Sequence, residues 1–191
     1  MEFTGAPYVA LTDSCSNAIF LSLIYLKRYG EINNTITIPK QTYISVPQAA
    51  INAGLNVNFD DVQWVGSYQL VGSPIIDAAV GFSRGMYTGG MVCISFQQKK
   101  ALPIGKGGAI LLDNRAAYDT IKRMSWDGRD ASISLAADLE NVIPGFHMNM
   151  IPSDAATGIM LLNSYAVDKI GSYADYPDVS RIFNKEQQWT I

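Results

Sequence analysis

The alternation of apolar and polar positions changes period repeatedly along the chain, and each change marks an element. Residues 9–11 form a short apolar run, followed by the polar stretch Thr12-Asp13-Ser14-Cys15-Ser16 and a helical apolar periodicity over 18–26. This pattern predicts strand, turn and helix. Gly30 ends the helix, the β-branched run 35–38 predicts a strand, and Pro39 starts a turn into a second helix near 45–53, with the next strand at 55–59. Residues 60–72 are irregular and carry Trp64, Tyr68 and Gln69; an apolar strand at 74–76 then ends at Asp77. Strands are predicted at 91–96 and 109–112, a helix capped by Asn114 runs to about Met124, 126–140 read as polar loop, and a last helix spans 152–162. The tail 173–191 has little periodicity and predicts an extended arm or a short helix. Strands alternating with helices argue for an α/β domain on a largely parallel sheet.

Composition narrows the class. A chain of 191 residues suits one domain, assigned to 1–170 with a tail at 171–191, and buries its core without disulfide or metal. Charged residues make up only 16% against 48% hydrophobic, which implies that a partner covers part of the surface. A net charge of -3 without a basic stripe argues against nucleic acid. Cys15 and Cys93 are far apart and outside any paired spacing, as expected of free thiols in a reducing compartment. No basic segment precedes an apolar run near Glu2, and no apolar stretch is long enough to span a bilayer, so a cytoplasmic, membrane-free protein is expected. His147 is the single histidine, so no zinc site is expected.

Four places carry candidate chemistry. The turn Asp13-Ser14-Cys15-Ser16-Asn17 brings hydroxyls and free amides to a helix start, which suits an anion as well as an ordinary cap. Asp77 ends a buried strand and is followed by the small Ala78 and Ala79; strand ends on that side of an α/β sheet line ligand crevices, although a carboxylate there also caps turns. In Ser95-Phe96-Gln97-Gln98-Lys99-Lys100, followed by Gly105, Gly107 and Gly108, a lysine beside a glycine-rich turn is suited to condense with an aldehyde if burial lowers its pKa; paired lysines in a loop are otherwise solvated. Tyr43 follows Pro39 at another strand end, where core packing is the plain alternative. The glycines at 105–108 precede a strand rather than a helix, so a dinucleotide fingerprint fails.

In order and spacing these blocks resemble the DegT/StrS-type (sugar) aminotransferases of pyridoxal phosphate (PLP) fold type I. Residues 14–19 are similar to S-x-T-x-A-[LI], with Cys15 and Ser16 where glycine and threonine are usual. Pro39, Thr42 and Tyr43 match P-x-x-T-[FYW], and 75–79 match I-x-D-A-A. Ser95, Phe96 and Lys100 match S-F-x-x-x-K, followed by G-x-G-G-A at 105–109, and Gly145 to Met150 with Ala155-Ala156-x-Gly158 resembles G-[YF]-N-x-[RK]-M…A-A-x-G. The resemblance covers roughly 9–162. It implies an aspartate-aminotransferase-like large domain whose small domain is reduced or absent.

The resemblance further implies that Lys100 holds PLP as a Schiff base and shuttles the proton, and that Asp77 pairs with the pyridinium nitrogen. Tyr43 would stack on the ring, Cys15, Ser16 and Ser95 would hold the phosphate, and Ser14 would belong to the same cofactor-binding set. His147 stands where the family's asparagine reaches the neighbouring subunit's phosphate, Asn149 replaces a basic residue, and Val80 replaces a glutamine. The expected activity moves an amino group from an amino acid, glutamate or glutamine, to a keto-sugar or keto-acid. Racemase, dehydratase or lyase chemistry on the same lysine, or a non-catalytic PLP-binding relative, stays open. A homodimer or higher homo-oligomer with shared sites is implied.

Overall fold

The computed structural model describes residues 2–165 and 170–183. The last residues of the tail, 184–191, lie outside the described residues, as do Met1 and 166–169. Elements follow in the order β1 (Tyr8–Thr12), α1 (Cys15–Arg28), β2 (Thr35–Pro39), α2 (Ser45–Asn52), β3 (Asn56–Asp60), β4 (Tyr68–Gln69) and β5 (Ile75–Asp77). There follow β6 (Met91–Ser95), β7 (Gly108–Leu112), α3 (Arg115–Ser125), α4 (Leu135–Asp138), α5 (Pro152–Asn163) and α6 (Ser180–Phe183). Single 3-10 turns occur at Leu139–Asn141 and Tyr173–Asp175. Among the described residues, no helix is long and apolar enough to cross a membrane.

The sheet is mixed, which corrects the expectation of a mostly parallel one. Its order is β1-β7-β6-β5-β4, and of the neighbouring pairs β5 with β6 is parallel while β1 with β7, β6 with β7 and β4 with β5 are antiparallel. The reason lies in the connections. The loop from Ser95 to Gly108 contains no helix, so the chain returns beside β6 in the opposite sense instead of crossing over. β2 and β3, joined through α2, do pair in parallel, but as a separate two-stranded sheet tied to the first by the Thr37–Val71 bridge. The irregular stretch 60–72 contains β4, too short to show an alternation in sequence.

Two cores lie on opposite faces of the sheet. Met91 and Cys93 of β6 and Ile110 and Leu112 of β7 face α1, α2 and α3, whereas Val92, Ile94, Ala109 and Leu111 face Phe3, Phe82, Phe96 and Met150. This period-two split explains why β6 and β7 are apolar throughout: both faces are covered. α1 buries Ala18, Ile19, Leu21, Ser22, Leu23, Tyr25 and Leu26, most of its circumference, with Lys27 and Arg28 at the dipole's negative end. The described part of the tail packs back onto the body rather than forming a separate arm. Val179 donates to the Lys40 carbonyl, residue 178 bridges Gln41, and Ser172 bridges Val65.

Strand directions bring the ends of several elements to one edge. β1, β6 and β5 run the same way and finish there at Thr12, Ser95 and Asp77, while the reversed β7 and β4 begin there at Gly108 and Tyr68. Gly108 is pressed against the turn before α1. A Cβ at this position would lie 2.4 Å from the Cys15 nitrogen and from the Ser14 carbonyl carbon. Gly108→Ala should therefore destabilise the fold by about 1–3 kcal/mol through overpacking against backbone, measured as a lowered denaturant midpoint at constant slope.

Candidate active site

α1 begins where the sequence placed its cap. The Ser14 side chain accepts the Asn17 N–H, and Asn114 caps α3 in the same manner through Ala117. Ser16 and Ser45 share a hydrogen bond of 2.6 Å, so the N-termini of α1 and α2 stand side by side. Between them and the sheet edge lies a cavity of about 230 Å³. It is lined by Ser14, Cys15, Ser16, Tyr43, Asp77 and Ser95, together with Lys100, Lys106 and Gly107. A larger cavity of about 460 Å³ lies under α5 on the other face, but its lining is apolar apart from Thr4 and Asp154 and offers no set of convergent reactive groups. The chemistry belongs to the smaller one.

Asp77 is 5% exposed. Tyr68 donates its hydroxyl to one carboxylate oxygen at 2.7 Å and the Ala79 N–H donates to the other at 2.9 Å; the Thr42 hydroxyl in turn bonds that of Tyr68. Burial pushes the Asp77 pKa above its ordinary value, opposed by these two donors and by the Lys100 charge. Tyr68, buried beside this carboxyl, is held well above its usual range and so remains a donor. Burial also keeps the Cys15 and Cys93 thiols protonated, so neither acts as a thiolate.

Lys100 follows a tight turn in which its N–H bonds the Gln97 carbonyl. Its ammonium donates to the Tyr176 hydroxyl at 3.4 Å. Tyr176 comes from the tail, packs at a tilt against the Trp64 ring, and has its pKa pushed up to about 12 by burial and by Asp77. Trp64 donates its indole N–H to the Gln41 carbonyl, fixing this wall of the site. Gly171 of the same segment donates to the Val80 carbonyl, so the tail covers the position where the family's glutamine would stand.

Ser14, Cys15, Ser16, Tyr43, Asp77, Ser95 and Lys100 thus all line one cavity. His147 and Asn149 do not. The His147 side chain is 81% exposed and bonds Asp127 through Nδ1 at 3.0 Å, while its segment is anchored to its own chain by Phe146 to the Met124 carbonyl and Met148 to the Ser125 carbonyl. Asn149 is half-buried and outside the cavity lining. Sequence reading missed Tyr68, Tyr176 and Lys106 as site groups. Tyr68 and Tyr176 lie in aperiodic segments with no motif, whereas Lys106 stood inside the glycine cluster.

The chain belongs to the DegT/DnrJ/EryC1/StrS aminotransferase family, whose model matches residues 71–167. That stretch holds Asp77, Ser95, Lys100 and the glycine turn. Among solved structures, a Bacillus cereus protein described as a PLP-dependent aminotransferase is 23% identical with a TM-score of 0.70, over 85% of this chain and 55% of that one. A sugar aminotransferase of Micromonospora echinospora is 15% identical at 0.67, over 84% and 57%. The GDP-4-keto-6-deoxy-D-mannose-3-dehydratase of E. coli, solved with bound hydrated PLP, is 15% identical at 0.68, over 85% and 57%. The fold is therefore that of the fold type I PLP enzymes, and the chain spans about half the length of these structures. No curated protein shows significant similarity to it.

The raised pKa of Asp77 has a measurable consequence. A carboxyl that binds its proton more readily when folded loses stability by ionising; the loss begins as pH rises past the unfolded pKa of about 4 and is complete above the folded one. Asp77→Asn, neutral and still able to bond Tyr68, should melt higher than wild type at neutral pH in the cofactor-free protein. The difference should shrink toward pH 4. Parallel melting curves at all pH values would show that Asp77 ionises without cost.

Proposed function

We propose that this chain binds PLP in the cavity at the sheet edge and takes part in amino transfer from an amino acid, glutamate or glutamine, to a keto-sugar or keto-acid. The carrying observation is the convergence of a buried carboxylate, a lysine and a hydroxyl-rich helix start on one cavity. These residues suit the cofactor. Asp77 offers a negative charge in the interior, the Cys15–Ser16 turn offers backbone amides at a helix N-terminus, and the exposed Tyr43 offers a flat side chain at the mouth. When bound, PLP supplies an aldehyde that condenses with amines and a pyridinium ring that withdraws electrons from the substrate's α-carbon.

The roles of the chain's own groups follow from their placement. Asp77 holds a proton on the ring nitrogen, because its ionised form is buried and gains most from a cation beside it. Tyr68 and the Ala79 amide orient that carboxylate. Lys100 carries the amine that fixes the cofactor and afterwards moves the proton, and Tyr176 aims it by hydrogen bonding. Ser14, Cys15, Ser16 and Ser95 hold the phosphate. The reading of residues 1–170 as the cofactor domain fits this arrangement, with the tail supplying Tyr176 as one wall.

A homodimer or higher homo-oligomer is part of the proposal. The His147 side chain faces outward in one chain, where a second copy would receive it, and Ile159 and Met160 of α5 are 65% and 73% exposed. A cytoplasmic location accords with free buried thiols. Sugar-dehydratase chemistry is the second reading, since the E. coli neighbour of this fold is a dehydratase.

Borohydride reduction of the PLP-loaded protein, followed by peptide mapping, should place the cofactor covalently on Lys100. Label on Lys99, or on no lysine, defeats the assignment. For the shared site, His147→Ala and Lys100→Ala should each be impaired alone, and their mixture should regain part of the activity because one intact site forms per heterodimer. Proven heterodimers without recovery would count against it.

A further inference from the structure

We propose that Lys106 is the side-chain cation that binds the cofactor's phosphate, an inference that rests on the reading of this cavity as a PLP site. A phosphate monoester carries about -1.5 to -2 charges at pH 7. The N-terminus of α1 offers N–H donors and roughly half a positive charge, and the hydroxyls of Ser16 and Ser95 add neutral donors. More positive charge is required at that end. Among the described residues lining the cavity, the charged side chains are Asp77, Lys100 and Lys106. Asp77 serves the ring nitrogen and Lys100 the aldehyde, which leaves Lys106.

Its position is set by backbone as well as by its own side chain. Gly108 pairs with Thr12 across β7 and β1, and its α-carbon abuts the Ser14–Cys15 peptide so closely that no Cβ fits. Three residues earlier, the loop is closed by the Gln98 N–H on the Gly105 carbonyl at 3.2 Å. Lys106 is thereby held beside the start of α1. Asp13 receives its ammonium at 3.3 Å, and the same carboxylate is oriented by Asn17 at 2.7 Å and by the Ser14 hydroxyl at 3.3 Å.

Asp13 also explains why a lysine is needed. A carboxylate one residue before the N-cap opposes an incoming dianion, and Lys106 offsets that charge while donating to the phosphate. The Lys106 side chain is 71% exposed, so its pair with Asp13 is weakly held and the flexible ammonium is free to be shared.

The test compares PLP with pyridoxal, which lacks the phosphate, by equilibrium dialysis against the cofactor-free full chain. Lys106→Ala should weaken PLP by about tenfold, the loss of a charge-assisted hydrogen bond, and leave pyridoxal unchanged. Lys106→Arg should keep most of the PLP affinity. Retained pyridoxal binding serves as the control for folding. Equal losses for both ligands, or unchanged PLP affinity in Lys106→Ala, overturn the assignment to Lys106 while leaving the PLP reading intact. Failure of the wild-type chain to bind PLP at all overturns both.

Discussion

Asp77 is a carboxylate taken out of water, and the site is arranged around keeping it there. An unpaired buried charge is costly, and a carboxyl without donors would simply take up a proton. Here the Tyr68 hydroxyl and the Ala79 amide each satisfy one oxygen. Tyr68 reaches it only because β4 runs antiparallel to β5 with Tyr68 opposite Asp77. Thr42, following β2, closes the chain of hydroxyls from the other sheet. The carboxylate thus ties together elements distant in sequence, and its ionisation is poised to gain from a cation in the cavity.

The opposite end of the cavity is built from the other polarity. Two helix N-termini, linked by Ser16 and Ser45, and a lysine held by Asp13 make a region suited to negative charge. Lys100 stands within the same cavity, its ammonium oriented by Tyr176. One cavity therefore sorts an anion-binding end from an anionic wall, the arrangement that a cofactor with a phosphate and a protonatable ring nitrogen requires. The separation depends on the strand directions, which bring the ends of β1, β5 and β6 and the starts of β4 and β7 to one edge.

The two faces of the main sheet differ in their cover. α1, α2 and α3 close one face, with α1 buried over most of its surface. On the other, α5 buries no residue completely and leaves an apolar cavity of about 460 Å³ beneath it. Apolar side chains on this helix outnumber what its own fold covers, in keeping with the low charged fraction of the chain.

Much was legible in the residues themselves. Strand and helix periods, the Ser14 and Asn114 caps, Gly30 at the end of α1 and the lysine block are local signals, because side-chain alternation, capping and turn chemistry act over a few residues. Family-specific spacing added Asp77, Lys100 and Tyr43 as candidates, and all three line one cavity. The sheet's mixed sense, the separate β2–β3 pair and the contacts of Tyr68 and Tyr176 were decided only by tertiary structure. Each depends on where a chain segment without periodicity returns, and that is set by long-range packing and hydrogen bonding rather than by neighbouring residues. Tyr176 shows the reason most simply: 76 positions separate it from Lys100, and only the docking of the tail against Lys40, Gln41 and Trp64 brings the two together.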